Sequence, residues 1–238
     1  MGVLDFNKII KEVQSEKLVQ IVPGRHEGAR KLSASGYTAG GLNIVDNFAD
    51  GSFNRGIWDK VIGTGEHSVN EGRGILEIKT VAGSNSNEVK VIQTLTGKQS
   101  VDGTLTFECR ARVTEGIGTA SNPRIAIGFF SPTSDTIRAV FQTSSVTDYR
   151  WFPRATIAGT SLGGAIDFVN TEWHNYKIEI TANTAKFYID NVLLETIASA
   201  NVPDTESIAA GWQIDNEDAN VVDYGIIEVL WSKAKYRN

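Results

Sequence analysis

Cysteine is almost missing from this chain. Cys109 is the only one in 238 residues, so no intrachain disulfide can form and no cysteine-based zinc site can be built. Histidine is nearly as scarce. His26, His67 and His174 lie far apart in the sequence, which gives no metal-ligand spacing. No apolar run approaches the roughly 20 residues a membrane-spanning helix needs. Charges interrupt the apolar residues between Met1 and Glu12, so a signal peptide is not expected and synthesis in the cytoplasm is. A positive charge excess is missing as well. The net charge of −5 argues against non-specific nucleic-acid binding, which needs a basic surface.

Several enzyme signatures are missing too. No Gly-x-Ser-x-Gly nucleophile elbow occurs. Gly159 to Gly164 reads Gly-Thr-Ser-Leu-Gly-Gly, which lacks the lysine and the following helix of a phosphate-binding loop. It reads as a plain loop.

What is present is ordinary for a folded protein: 41% apolar and 21% charged residues. The length suits one large β-sandwich with an extension. The chain changes character near Asp46. Before it, Phe6, Ile9, Ile10 and Val13 recur at helical spacing, with Asp5 as the N-cap. Leu18 to Val22 is a short apolar run that Pro23 and Gly24 end. Gly24 to Gly41 is rich in Gly, Ser and Ala and reads as an extended arm. Residues 1–45 are therefore expected to be a helix and arm, and 46–238 the main domain. A short helix with one apolar face must bury it, on the domain or on a partner.

From Asp46 onward the period is two. Leu105, Phe107, Cys109, Ala111 and Val113 share one face, and Thr104, Thr106, Glu108, Arg110 and Arg112 the other. Cys109 thus reads as a buried thiol. Further strands are expected over 74–80, 88–95, 124–130, 136–143, 148–152, 176–181, 186–189, 192–197, 208–213 and 225–231. Asp190-Asn191 is expected to join two of them in a tight hairpin. Ile125 to Phe130 is apolar on both faces, which places it centrally. Many short strands with Gly, Asn and Asp turns mean a sandwich or barrel.

Several segments resemble the concanavalin A-like superfamily, in particular its laminarinase-like branch. They are Asp46-Asn47-Phe48-Ala49-Asp50-Gly51-Ser52-Phe53 with Trp58, Glu71 to Ile78, Thr104 to Val113, Glu172 to Ile180 with Ala185 to Val192, and Val222-Asp223-Tyr224. The resemblance implies an all-β jelly-roll sandwich of two antiparallel sheets. It also implies one structural calcium, with Asp223 as carboxylate ligand and oxygens from near Gly72 and the Asp46 segment, a hard donor set suited to that ion. The hydrolases of this superfamily carry a Glu-x-Asp-x-(x)-Glu strand, because alternate residues share a face and can flank a glycosidic bond. The corresponding region here, Ser131 to Gln142, holds Asp135 as its only acid. The expectation from this is a protein that is not an enzyme.

Aromatic faces stack on the apolar side of a pyranose. Tyr149, Trp151, Trp173, Trp212 and Trp231 form the pool, and Tyr149, Trp151 and Trp212 with Arg154 are the candidate glycan contacts. Core filling is the competing reading, and it weighs most for Trp58 and Trp231. The expected role is a structural protein of a larger assembly, such as capsid decoration or a tail-associated protein on a virion surface. Phe6, Ile9, Ile10 and Val13 would anchor it to partner subunits or further copies, and the sandwich would face cell-surface glycans. The alternatives are a carbohydrate-binding module and a glycoside hydrolase with an atypical site.

Overall fold

The computed structural model describes residues 42–48, 57–62, 68–80, 87–93, 97–98, 103–115, 123–131, 137–143, 150–155, 167–181, 184–198, 207–216 and 225–237. The helix expected over Phe6 to Val13 lies outside them. All of the regular structure described is β. The chain gives β1 (Leu42–Asp46), β2 (Trp58–Ile62), β3 (Ser68–Gly72), β4 (Ile75–Lys79), β5 (Asn87–Gln93) and β6 (Gly97–Lys98). There follow β7 (Thr104–Glu115), β8 (Arg124–Phe130), β9 (Ile137–Thr143), β10 (Arg150–Ala155) and β11 (Asp167–Phe168). The last are β12 (His174–Thr181), β13 (Thr184–Ile189), β14 (Val192–Ala198), β15 (Ser207–Asn216) and β16 (Ile226–Arg237).

They form two antiparallel sheets. The first runs β14-β13-β12-β7-β16-β4-β3, with β1 also on β16. The second runs β11-β10-β9-β8-β15-β5-β2, with β6 also on β15. β8 lies between β9 and β15 and is buried from Ile125 to Phe130, the central position its sequence suggested. β1 begins at Leu42, a few residues before the change of character at Asp46, and pairs with Ser232 to Tyr236.

The sheets pack face to face through aromatic side chains. Phe107 of the first sheet meets Phe129 and Trp212 of the second edge-on, at 6.0 and 5.6 Å. Tyr176 and Phe187 of the first meet Phe141 of the second, at 5.5 and 5.3 Å. Each edge-on pair adds about 0.5–1.5 kcal/mol to the burial of its rings. Cys109 lies in this interior, and burial pushes its thiol far above the ordinary cysteine value. Two tight turns set the register of their hairpins. Asp190 and Asn191 both have positive φ, at 50° and 67°, which matches a type I′ turn between β13 and β14. Arg73 and Gly74 do the same between β3 and β4.

Candidate functional site

Alternation along each strand sends every second residue of the second sheet away from the core. The strand register aligns these residues into rows across the sheet. One row reads Arg154, Val140, Gly128, Gly211, Ile92 and Asp59. The next reads Phe152, Gln142, Ala126, Gln213 and Lys90. A third reads Arg124, Asp215 and Glu88. The outer face is therefore apolar along one line, amide-bearing along the next and charged beyond it.

The two glycines of the first row meet across β8 and β15. Gly128 has φ +150°, and a Cβ there would lie 2.3 Å from the Ala139 carbonyl oxygen. At Gly211 a Cβ would lie 2.1 Å from the Val91 carbonyl oxygen. No other residue fits either position, so the middle of the face is a floor of bare backbone. Ile92, Ala126, Phe130, Val140 and Ala209 form a small apolar cluster of their own on this side.

The amide row is unusual because it is buried. Gln142 is 3% exposed, Gln213 7% and Lys90 2%. Lys90 lies over the Phe130 ring at 5.6 Å. The side-chain carbonyl oxygens of Gln142 and Gln213 are buried with no hydrogen-bond partner. Such an oxygen costs about 1–3 kcal/mol relative to a satisfied one. Ala126 separates the two amides, and two strand spacings put their backbones about 10 Å apart. The row thus offers two aligned acceptors to a molecule that carries several donors.

The structure disperses the residues expected to bind glycan. Trp151 and Trp212 do not face outward. They are 1% and 0% exposed and fill the space between the sheets. Trp151 packs on Phe141 and Tyr176, and Trp212 on Phe48, Trp58 and Phe107. Their rings satisfy the hydrophobic interior, so neither can stack on a sugar. Arg154 is half-buried on the outer face, opposite to Trp151. Tyr149 lies outside the described residues. So do Phe6, Ile9, Ile10 and Val13.

The expected calcium set does not come together among the described residues. Asp223 lies outside them. The Asp46 carboxylate accepts the Phe48 N–H at 3.0 Å and the Trp58 indole N–H at 2.8 Å, which ties the entry of the domain to β2. Gly72 is exposed at the end of β3, with open space around it. No group of three or more His, Cys, Asp or Glu side chains among the described residues is placed to hold an ion.

His174 is held at both ring nitrogens. Nδ1 meets the Asp190 carboxylate at 2.6 Å, and Nε2 meets Asn170 Oδ1 at 2.9 Å. The second Asp190 oxygen accepts the Asn175 N–H. This network fixes the β13–β14 turn against the start of β12, a structural use of the histidine. Burial pushes the Asp190 carboxyl up, but the Asn175 N–H, His174 and the nearby Arg110 charge outweigh it and hold it below its ordinary value.

Gln142, Gln213 and Lys90 carry the site, and sequence reasoning passed over all three. A signal for them does exist. Each polar residue interrupts a strand whose chain neighbours are both buried: Phe141 and Thr143, Trp212 and Ile214, Val89 and Val91.

No protein-family model matches the sequence, and no curated protein matches it. Solved structures match it through shape. An endo-1,3-β-glucanase from Streptomyces sioyaensis superposes with a TM-score of 0.60 at 13% identity, covering 84% of this chain and 98% of that one. The laminarinase from Rhodothermus marinus gives 0.59 at 16% identity, covering 82% and 96%. The Emp46p carbohydrate recognition domain gives 0.54 at 8% identity, covering 80% and 94%. The fold is a concanavalin A-like jelly roll. At these identities the likeness is one of fold.

The same finding corrects the expectation that this chain is not an enzyme. The architecture is shared with endo-glucanases, so the missing motif does not exclude catalysis. β9 does place Val140 and Gln142 on the outer face where its sequence has no acid. Acids stand elsewhere on that face: Asp215 and Glu88 are directly opposed across β15 and β5.

Proposed function

We propose that the outer face of the second sheet binds a saccharide across β9, β8, β15 and β5. The observation that carries this reading is the pair of buried, unpartnered carbonyl oxygens of Gln142 and Gln213 in one cross-strand row. A saccharide supplies what they lack, a line of hydroxyl donors. The glycine pair lets a ring approach the backbone closely. Solved proteins of the same fold include a carbohydrate recognition domain and glucanases, which supports the choice of ligand class. Neutral oligosaccharides should be retained by the full chain on a glycan array, and Gln142→Met with Gln213→Met should abolish retention. Equal retention by the double variant would remove the proposal.

One observation favours a second reading, hydrolysis of the bound glycan. Directly opposed residues on adjacent strands hold their Cβ atoms about 4.5–5.5 Å apart. Retaining glycosidases place their two carboxyl groups about 5–5.5 Å apart. Glu88 and Asp215 are directly opposed in the row beside the amide row, with Arg124 next to Asp215, so their carboxyl groups can reach such a separation. Release of reducing ends, lost in both Glu88→Gln and Asp215→Asn while glycan retention persists, would establish it. Absence of turnover on every retained glycan would leave binding as the whole activity.

The role in an assembly such as a virion remains a proposal from residues 1–45. Phe6→Asp with Ile10→Asp in the full chain should release it from partner subunits or from its own copies. An unchanged assembly state would count against the anchor. Any shortened chain should keep Leu42 to Asp46, because β1 pairs with β16.

A further inference from the structure

The five tryptophans divide by location. Trp58, Trp151 and Trp212 lie in the core, while Trp173 and Trp231 remain half-buried at the surface. Both surface rings gather at the outer face of the first sheet, on the far side of the molecule from the amide row. Trp231 lies across from Arg110 on β7, next to a register shift in β16. Arg112, two residues further along β7 on the same face, places its guanidinium 4.7 Å from the centre of the Trp173 ring. Arg112 also binds Glu228 at 2.7 Å, which fixes its plane. Strand register and this ring contact bring Trp231, Arg110, Arg112 and Trp173 onto one face.

The charge around the patch runs against that of the chain. On the outer face of β7, β12 and β16 the described side chains include Arg110, Arg112, Lys177, Lys233 and Lys235, against Glu108, Glu179 and Glu228. That is an excess of two positive charges on a protein of net charge −5. Large aromatic rings at the surface give up burial energy, and tryptophan and arginine are both enriched among the residues that dominate binding at recognition surfaces.

We infer that this patch is a second binding site, for an acidic saccharide built of uronate or sulfated units. Trp231 offers a flat face for the pyranose ring, and Arg110, whose Nη1 donates to Asn175 Oδ1 at 3.4 Å, has further N–H groups for the carboxylate or sulfate. A nucleic acid fits less well. Arg112 and Lys177 already have Glu228 and Glu179 as partners, which leaves no continuous cationic track, and the overall negative charge repels a long polyanion. The site does not depend on the amide row, so the two readings fail separately.

The test uses the full chain, with tetragalacturonate and a sulfated tetrasaccharide as acidic probes and duplex DNA as polyanion control. Binding is read by calorimetry and by tryptophan fluorescence. At least one acidic probe should bind, weaken as salt rises and alter the tryptophan emission. Trp231→Ala and Arg110→Gln should each weaken it about tenfold, the loss of one charge-assisted contact or its equivalent. Gln213→Met should leave it unchanged. Circular dichroism should show both surface variants folded, since neither ring nor guanidinium belongs to the core cluster. The inference is overturned if neither acidic probe binds, if both variants bind as the unaltered chain does, or if DNA binds as tightly.

Discussion

The outer faces of the two sheets start from the same rule of alternation and end in opposite states. On the first sheet, charged residues stand in pairs: Arg112 with Glu228, Lys177 with Glu179, and Tyr188 donating to Glu179. All of these are partly open to solvent, which can complete whatever the pairs leave unsatisfied. On the second sheet, Gln142, Gln213 and Lys90 are withdrawn from solvent, and two amide oxygens have no partner. An orphaned buried acceptor costs stability, which is the observation the proposed saccharide site accounts for. The comparison separates a face whose charges are paired and open to solvent from one whose polar groups are buried and in part unpartnered.

The largest expected effect breaks the second sheet at its glycine floor. Gly128→Val places a Cβ against the Ala139 carbonyl at a φ of +150°, where a β-branched residue is strained. It should cost about 3 kcal/mol or more in urea denaturation. Thr106→Val, on the outer face of the first sheet, should change stability by no more than about 0.5 kcal/mol. Similar losses for the two variants would erase the contrast.

A smaller loss is expected at the entry to the domain. Asp46→Ala removes the acceptor for the Phe48 and Trp58 N–H groups, and should cost about 1–3 kcal/mol by the same measurement. An effect of the opposite sign is expected in the amide row. Gln213→Met keeps the volume and deletes the unpartnered oxygen, so the unliganded protein should gain roughly 1 kcal/mol while losing saccharide. A loss of stability there would mean the amide serves the fold. On the first sheet, Glu228→Gln should cost less than about 1 kcal/mol, because the pair is partly exposed.

The smallest effect concerns acidity. The Asp190 carboxyl sits below its ordinary 3.8 when folded, so its contribution is present above that value. It is lost as pH falls through the folded value. Asp190→Asn should therefore narrow the stability difference between neutral and strongly acidic solution. A stability profile that keeps its shape below pH ~4 would show that the carboxyl contributes nothing.

Much of the fold was legible because strand alternation is a local property. Leu105 to Val113 announced its buried face, and Ile125 to Phe130 its central place. β1, β2, β3, β6 and β11 were missed as strands, since none has more than five residues or a long alternating run. The site was less legible for a related reason. Alternation shows that Trp151 shares a face with Tyr149 and not with Arg154, but not which face meets the other sheet. That parity is set by partners distant in sequence: Thr143 opposite Trp151, and Val140 opposite Arg154. The amide row likewise comes from three separate strands, and its burial is a property of the assembled sheet.

The most direct measurement is a neutral glycan array probed with the full chain and with the Gln142→Met, Gln213→Met double variant. Retention of a neutral oligosaccharide by the unaltered chain, lost in a double variant that is folded and no less stable, is the predicted result. No retained neutral glycan, or undiminished retention by the double variant, would contradict a saccharide site on the outer face of the second sheet.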